Sequence, residues 1–428
     1  MLHPGIVFGV GVAVLALSTW KARVPLPLGL LIFALVVALL SGVGLPFRHL
    51  VEGGFGYINL VLALFAGAFF GQAMHSSGAT DSLGYSVVRA LGYNRFAALV
   101  ITSALLYVSG MFVGVAGVAV LATGVFVPPI LRRVGLSDTR IAAFIAILAT
   151  CGMIAPPVNV PAMAIADGVN MPYSGFDLPL YVASAIPAIF TVLLFAFWRP
   201  EARPEAIVPQ PRSGGMATAL IGLFLTLGFW AILRLFPTMI PDPAVPLVLV
   251  IGGLVAIPLL GRAGFGEVVR GTFGGTPLVL AAVLIAVGVA VQIMTLTGVR
   301  GWLVITSMEL PHTGLFVEML VLPLFGSVLT AMGTANVIGV PFAFSLIHQD
   351  MIINVAAISA FAALSEFMPP TAIATALACY VVGNVSMLRV LRYCLIPALA
   401  IAVTAALMLI FADQLSGWMT SGSVTFQH

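Results

Sequence analysis

Apolar runs close to the length of a membrane crossing follow one another along almost the whole chain, and they limit its fold more than any other feature. A helix needs roughly 20 apolar residues to cross the hydrocarbon, and only helices or closed barrels satisfy their backbone there. Such runs fall near 5–20, 25–43, 57–76, 140–166, 180–198, 215–235, 244–260, 276–297, 351–380 and 390–411. Of the 428 residues, 61% are hydrophobic and 7% charged, against roughly 25% charged in soluble domains. The chain therefore reads as an all-α polytopic membrane protein. Its first run ends at "STWKARVP", with no small-residue cleavage site, and is read as a span and not as a removable signal. Cys151, Cys379 and Cys394 all fall in apolar segments without metal-type spacing and read as packed thiols.

Two of the runs contain residues that a membrane helix should avoid. In "CGMIAPPVNVPAMAIADG" (151–168), Pro156, Pro157 and Pro161 surround Asn159, and a second pair, Pro369-Pro370, interrupts 351–380. Each proline removes a backbone donor and clashes with the preceding turn. A break of this kind survives in a bilayer only where protein or water meets the freed groups. Two further apolar stretches fit neither one crossing nor two. The 36 residues between Arg95 and Arg132 carry Gly110, Gly114 and Gly117 at their middle. The 29 between Glu318 and His348 carry Gly326 and Gly333. Both are expected to be re-entrant hairpins that enter partway and leave on the same side.

The two halves of the chain echo each other. "QAMHSSG" at 72–78 matches "QIMTLTG" at 292–298, Gly110 and Gly117 match Gly326 and Gly333, and Pro156-Pro157 match Pro369-Pro370. Five crossings per half make an odd number, so the second half is expected to be inverted, as in many secondary transporters. With the N-terminus outside, 14 of the 17 Lys and Arg fall on the inner side, a positive-inside bias. Both termini are then expected in the periplasm of a bacterial inner membrane. The expected parts are scaffold helices and arm of repeat 1 (1–94), hairpin, broken helix and closing helix of repeat 1 (95–198) and a Pro-rich cytoplasmic linker (199–214). Repeat 2 follows with scaffold helices and arm (215–313), its transport part (314–411) and a C-terminal tail (412–428).

Where two tips and two breaks meet, half-helix N-termini suit a carboxylate, and freed carbonyls suit Na⁺. Few side chains are available there. For an organic acid we assign Asn159, Thr150, Thr371, Asn336 and Thr334. For a coupling cation we assign Ser109, Gly110, Gly152, Pro156, Gly326, Gly333, Ser365 and Glu366. Thr330 also lies at the second tip. The hydroxyls could equally be back-bonded to their own helices, and Gln72 and Gln292 could merely join helices. Glu366 is the one acid placed deep inside a span, and such acids are functional candidates by default. No HExxH, no GxSxG with a His partner and no Walker loop occurs, so neither an enzyme nor a nucleic-acid partner is expected. No cofactor is expected beyond Na⁺.

The run "SGMFVGVAGVAVLATGVFVPPILRRVGLSDTRIAAFIAILATCGMIAPPVNVPAMAIADG" resembles the large membrane subunit of TRAP transporters, within the wider ion-transporter superfamily. "FAGAFFGQAMHSSGATDSLGYSVVRALG" and "MPPTAIATALACYVVGNVSMLRVLRYCLIPALA" are similar to its third span with interfacial arm and to its second break. Where that family commonly has a "GSxxAD" segment, this chain has "GVAGVA", with Val115 and Ala119 at the Ser and Asp positions. The resemblance implies an elevator that moves an organic acid with Na⁺. It also implies two partners, a small four-helix membrane subunit and a periplasmic solute-binding protein. The alternative is a one-component organic-anion symporter of the same superfamily, of gluconate or citrate type, with a channel or a membrane scaffold further off.

Overall fold

The computed structural model describes residues 2–91, 94–198, 213–229, 232, 244–308, 315–369, 371–383 and 385–419. All regular structure among them is helical. Seven stretches are long and apolar enough to cross a membrane: Pro4–Lys21, Ile58–Ser76, Arg95–Val113, Ala116–Arg133, Asp177–Phe197, Gly264–Leu296 and Met387–Ile410. The chain is a multi-pass membrane protein. Most of the expected linker, the last residues of the tail, Pro370 and parts of the run at 215–235 lie outside the described residues.

The runs at 140–166 and 351–380 are not continuous helices. The first is Asp138–Ile154 followed by Val160–Gly168, and the second is Met351–Phe367 followed by Ile373–Val382. The expected span at 244–260 also stops early, at Leu254, because Pro258 opens a new helix, Ile257–Thr272. Proline has no N–H to continue a helix but fits its first turn, where that N–H is not needed.

The first expected hairpin turns within its expected tip, at Gly114, but its arms are longer than a hairpin that enters only partway needs. Its outgoing arm, Arg95–Val113, starts on an Asn94 cap whose Oδ1 accepts the Ala97 N–H at 3.1 Å. Its return arm is Ala116–Thr123 and Val127–Arg133, joined by a 3₁₀ turn. Only Gly114 and Val115 stand between the arms. Gly114 adopts φ 70°, left-handed, and its N–H closes on the Gly110 carbonyl at 2.7 Å. A two-residue turn at a glycine leaves 19 and 18 residues for the arms, each about 27 Å or more in length. The arms pack on one another, so both ends stay on one side. The second segment, Leu315–Thr334, runs on through a π turn to Val340–Ser345, and is kinked at Thr330, with φ 65° and ψ 168°.

The halves keep one register. The broken helices begin at Asp138 and Met351 and resume at Val160 and Ile373, 213 residues apart in both cases (351 less 138, 373 less 160). Left-handed residues recur at matching places: Gly78 with Gly298, Gly114 with Thr330, and Asn170 with Gly383. Packing across the halves is reciprocal. Ile58–Ser76 lies on Ala244–Leu254 and Ile257–Thr272, and Gly275–Leu296 lies on Leu26–Leu40 and Phe47–Phe55. The two broken helices hold the centre, with Arg140–Ile154 and Ile353–Phe367 buried throughout.

The hairpin geometry makes a topological prediction. Cysteines at Asn94 and Thr139, in a background without native thiols, should react with an impermeant maleimide from one membrane face. Labelling from opposite faces would mean that 95–133 crosses the bilayer an odd number of times.

Candidate ligand-binding site

Each break is closed by side chains that repair what the prolines remove. At the first, Asn159 caps the resuming helix, its Oδ1 accepting the Ala162 N–H at 2.8 Å. Its amide nitrogen donates to the Ile154 carbonyl at 2.9 Å and to Ser359 Oγ, in the other half, at 3.0 Å. Its backbone N–H reaches the Tyr173 hydroxyl at 3.3 Å. Asn159 is fully buried, and both of its amide protons are used. The carbonyl stranded before the prolines thus has a partner, as a low-dielectric interior demands. At the second break Glu366 plays the corresponding part. Its Oε2 accepts the Ala374 N–H at 2.8 Å, and its own carbonyl accepts the Thr375 hydroxyl at 2.8 Å. Glu366 is the sole buried carboxylate among the described residues.

Glycines let the hairpins reach these breaks. A methyl at Gly110 would lie 2.6 Å from the Ala149 carbonyl oxygen and 2.7 Å from the Gly152 Cα, and a methyl at Gly152 would run into the Tyr107 carbonyl. The two backbones therefore touch. In the second half Gly326 faces Ser365 and the Thr334 hydroxyl in the same way. The tips follow: Gly114 abuts Val158 and Val160, and the Ser327 carbonyl accepts the Thr371 N–H at 3.1 Å.

Between the tips lies a cavity of about 50 Å³. It is lined by Gly114 and Val115 of the first tip, Thr330 and Ala331 of the second, Val160 and Pro161 after the first break, and Glu366 and Ile373 at the second. Leu60, Leu64 and Leu284 of the long spans close it. That volume is room for about one or two waters and is too small for an organic acid. Glu366 and Thr330 are its polar side chains. Glu366 Oε1 has no hydrogen-bond partner among the described residues, and neither has the buried Thr330 hydroxyl. Thr330 is a β-branched residue at positive φ, a strained conformation of the kind that collects at functional sites.

Besides Asn159 and Glu366, the expected site residues sort into four groups. Ser109, Thr334 and Thr371 are buried beside the tips and breaks, each with a hydroxyl that has no partner among the described residues. Gly110, Gly152, Gly326 and Ser365 build the close contacts, with Ser365 Oγ bound to the Ala362 carbonyl at 2.6 Å, and Pro156 and Gly333 are buried beside the first break and the second tip. Thr150 is bound to the Ala146 carbonyl at 2.8 Å, the back-bonded alternative. Asn336 stands apart from the cavity: its amide returns to the Met332 carbonyl at 3.1 Å, and its own carbonyl accepts Arg300 at 2.8 Å. Ser359, Tyr173 and Thr375 were not anticipated. Their roles depend on contacts across 9, 14 and 200 residues, which helical spacing does not report.

Against known families, residues 4–190 match the model of the GntP family permease. The match spans the first hairpin, the first break and the start of the following helix, and it describes a transporter, not an enzyme. No curated protein sequence matches the chain. The match corrects the expected partners. GntP permeases are single-component transporters, so neither the small four-helix subunit nor the periplasmic binding protein is supported.

Two substitutions test this geometry. Asn159→Ala removes a cap, for about 1–2 kcal/mol, and strands the Ile154 carbonyl, for about 1–3 kcal/mol more. Gly152→Val forces the crossing helices apart. Both should lower the melting temperature of the detergent-purified protein, whereas Asn336→Ala should leave it within a degree or two.

Proposed function

We propose that the protein is a one-component secondary transporter of small organic anions of the gluconate type. The observation that carries this reading is the cavity itself, where both tips and both breaks converge on one buried carboxylate. The GntP permease match over 4–190 supports the same class, and favours it over the large subunit of a TRAP system. The anion binds when a tip withdraws and the water-sized cavity widens. Its carboxylate is received by the freed N–H groups at the start of Ala116–Thr123. Its hydroxyls meet Thr330.

The cycle is an elevator of two inverted repeats, in which 95–198 and 314–411 move as a transport part against 1–94 and 215–313. The matched register and the reciprocal packing support this division. The coupling cation is taken up at Glu366, which lines the cavity. A proton neutralises the carboxylate directly. Na⁺, the cation expected from the sequence, would be held there with the hydroxyls of Thr330, Thr334 and Thr371. The site lies in the bacterial inner membrane with both termini in the periplasm.

Proteoliposomes should take up radiolabelled gluconate, without any added protein, when a proton or Na⁺ gradient is imposed. Glu366→Gln keeps the cap on Ala374 through its amide oxygen and removes the charge. It should abolish gradient-driven accumulation and leave gluconate counterflow above one-tenth of the parent rate. Equal gradient-driven uptake by the two would exclude Glu366 from coupling. Absence of gluconate, citrate and related acids from the lumen under every gradient would exclude the transporter reading itself.

A further inference from the structure

One side-chain hydrogen bond joins a long span to a broken helix of the opposite half. Gln72 Nε2, near the end of Ile58–Ser76, donates to the Tyr380 hydroxyl, near the end of Ile373–Val382, at 2.5 Å. Under the proposed division this bond ties the scaffold to the moving part, at the inner side of the membrane. A bond in that place cannot persist through a cycle that slides one part along the other.

The repeat register assigns each of these residues a counterpart. Gln72 lies six residues before the left-handed Gly78, and Gln292 lies six before the left-handed Gly298. Tyr380 lies three residues before the left-handed Gly383, and Asp167 lies three before the left-handed Asn170. The glutamines also occupy equivalent sockets. A methyl at Gly271 would lie 3.2 Å from Gln72 Cδ, and a methyl at Gly53 would lie 2.9 Å from Gln292 Cβ. Gly271 and Gly53 belong to the interfacial helices of the opposite halves, Ile257–Thr272 and Phe47–Phe55. Yet the two glutamines are engaged differently. Gln72 holds Tyr380, whereas Gln292 makes no hydrogen bond to a resuming helix among the described residues. Asp167 is exposed, and its carboxylate has no hydrogen bond among the described residues.

Two halves of like fold in unlike engagement can exchange roles, and in an inverted repeat that exchange generates the oppositely facing state. We infer that Gln292 and Asp167 form the second of two alternating latches, made at the outer side when the Gln72–Tyr380 bond is broken. The chemistry carries over, because in both pairs an amide N–H of the span donates to an oxygen near the end of a resuming helix. In the second pair that oxygen is a carboxylate, and the bond is charge-assisted. This assignment rests on the proposed elevator of inverted repeats. It adds the residues that hold each end state.

Cross-linking tests it in membranes carrying the full chain, with Cys151, Cys379 and Cys394 replaced by alanine and gluconate uptake as the functional readout. Gln72→Cys with Tyr380→Cys, and Gln292→Cys with Asp167→Cys, should each form an oxidative cross-link. Each should stop uptake until a reductant restores it. With all four cysteines in one chain, a molecule should carry one cross-link or the other and not both. A further measurement covers loss of function in the cysteine variants. Asp167→Ala, added to the inner pair, should raise its cross-linking rate about tenfold, as removal of a charged hydrogen bond from the opposing state would. An active transporter whose inner pair cross-links while the outer pair never does, with no rate change on Asp167→Ala, overturns the latch and leaves transport standing. Absence of gluconate uptake by the parent itself would instead count against the functional reading, whichever pairs cross-link.

Discussion

The constraint on which the structure depends is that no backbone polar group can be left unpaired in hydrocarbon. Prolines at 156, 157 and 369 create unpaired groups at mid-helix, and the rest of the centre is arranged to receive them. Asn159 answers at the first break with a cap, a bond to the stranded carbonyl and a bond to Ser359. Glu366 answers at the second with one carboxylate oxygen. The difference between the two repairs is chemical. A neutral amide whose protons are all bound is inert, whereas a carboxylate with a free oxygen in an apolar cavity needs a cation or a proton.

Close backbone approach makes that centre possible. Gly110 against Gly152, and Gly326 against Ser365, bring the hairpins near enough for their tips to touch the breaks. In membranes small residues at crossings replace the hydrophobic drive that packs soluble cores. The same approach narrows the cavity between the tips to about 50 Å³.

Much of this was legible in the sequence because prolines and glycines carry local geometry. The two breaks, the two tips and Glu366 could all be placed from their positions in apolar runs. The arms of the first hairpin were misjudged, since a turn of only two residues at Gly114 leaves more helix than a longer loop would. For Thr150 the sequence leaves ligand binding and helix back-bonding equally open, and in the structure Thr150 and Asn336 both bond a carbonyl one turn back. The residue type and proline setting of Asn159 mark it as important, but only tertiary contacts show that its amide bonds to Ile154 and Ser359. The resemblance to TRAP large subunits carried the partner proteins with it, and the family match over 4–190 removed them. Residue pattern distinguishes a break from a plain span far better than it distinguishes relatives within a superfamily.

The central claim is that the anion sits between the two tips and the two breaks. A structure of the protein determined at saturating gluconate in lipid nanodiscs tests it most directly. The account predicts density for one gluconate bounded by Gly114–Val115, Thr330–Ala331, Val160 and Glu366, with the cavity enlarged to hold it. Gluconate resolved elsewhere, with this cavity still closed at its present volume, would contradict it.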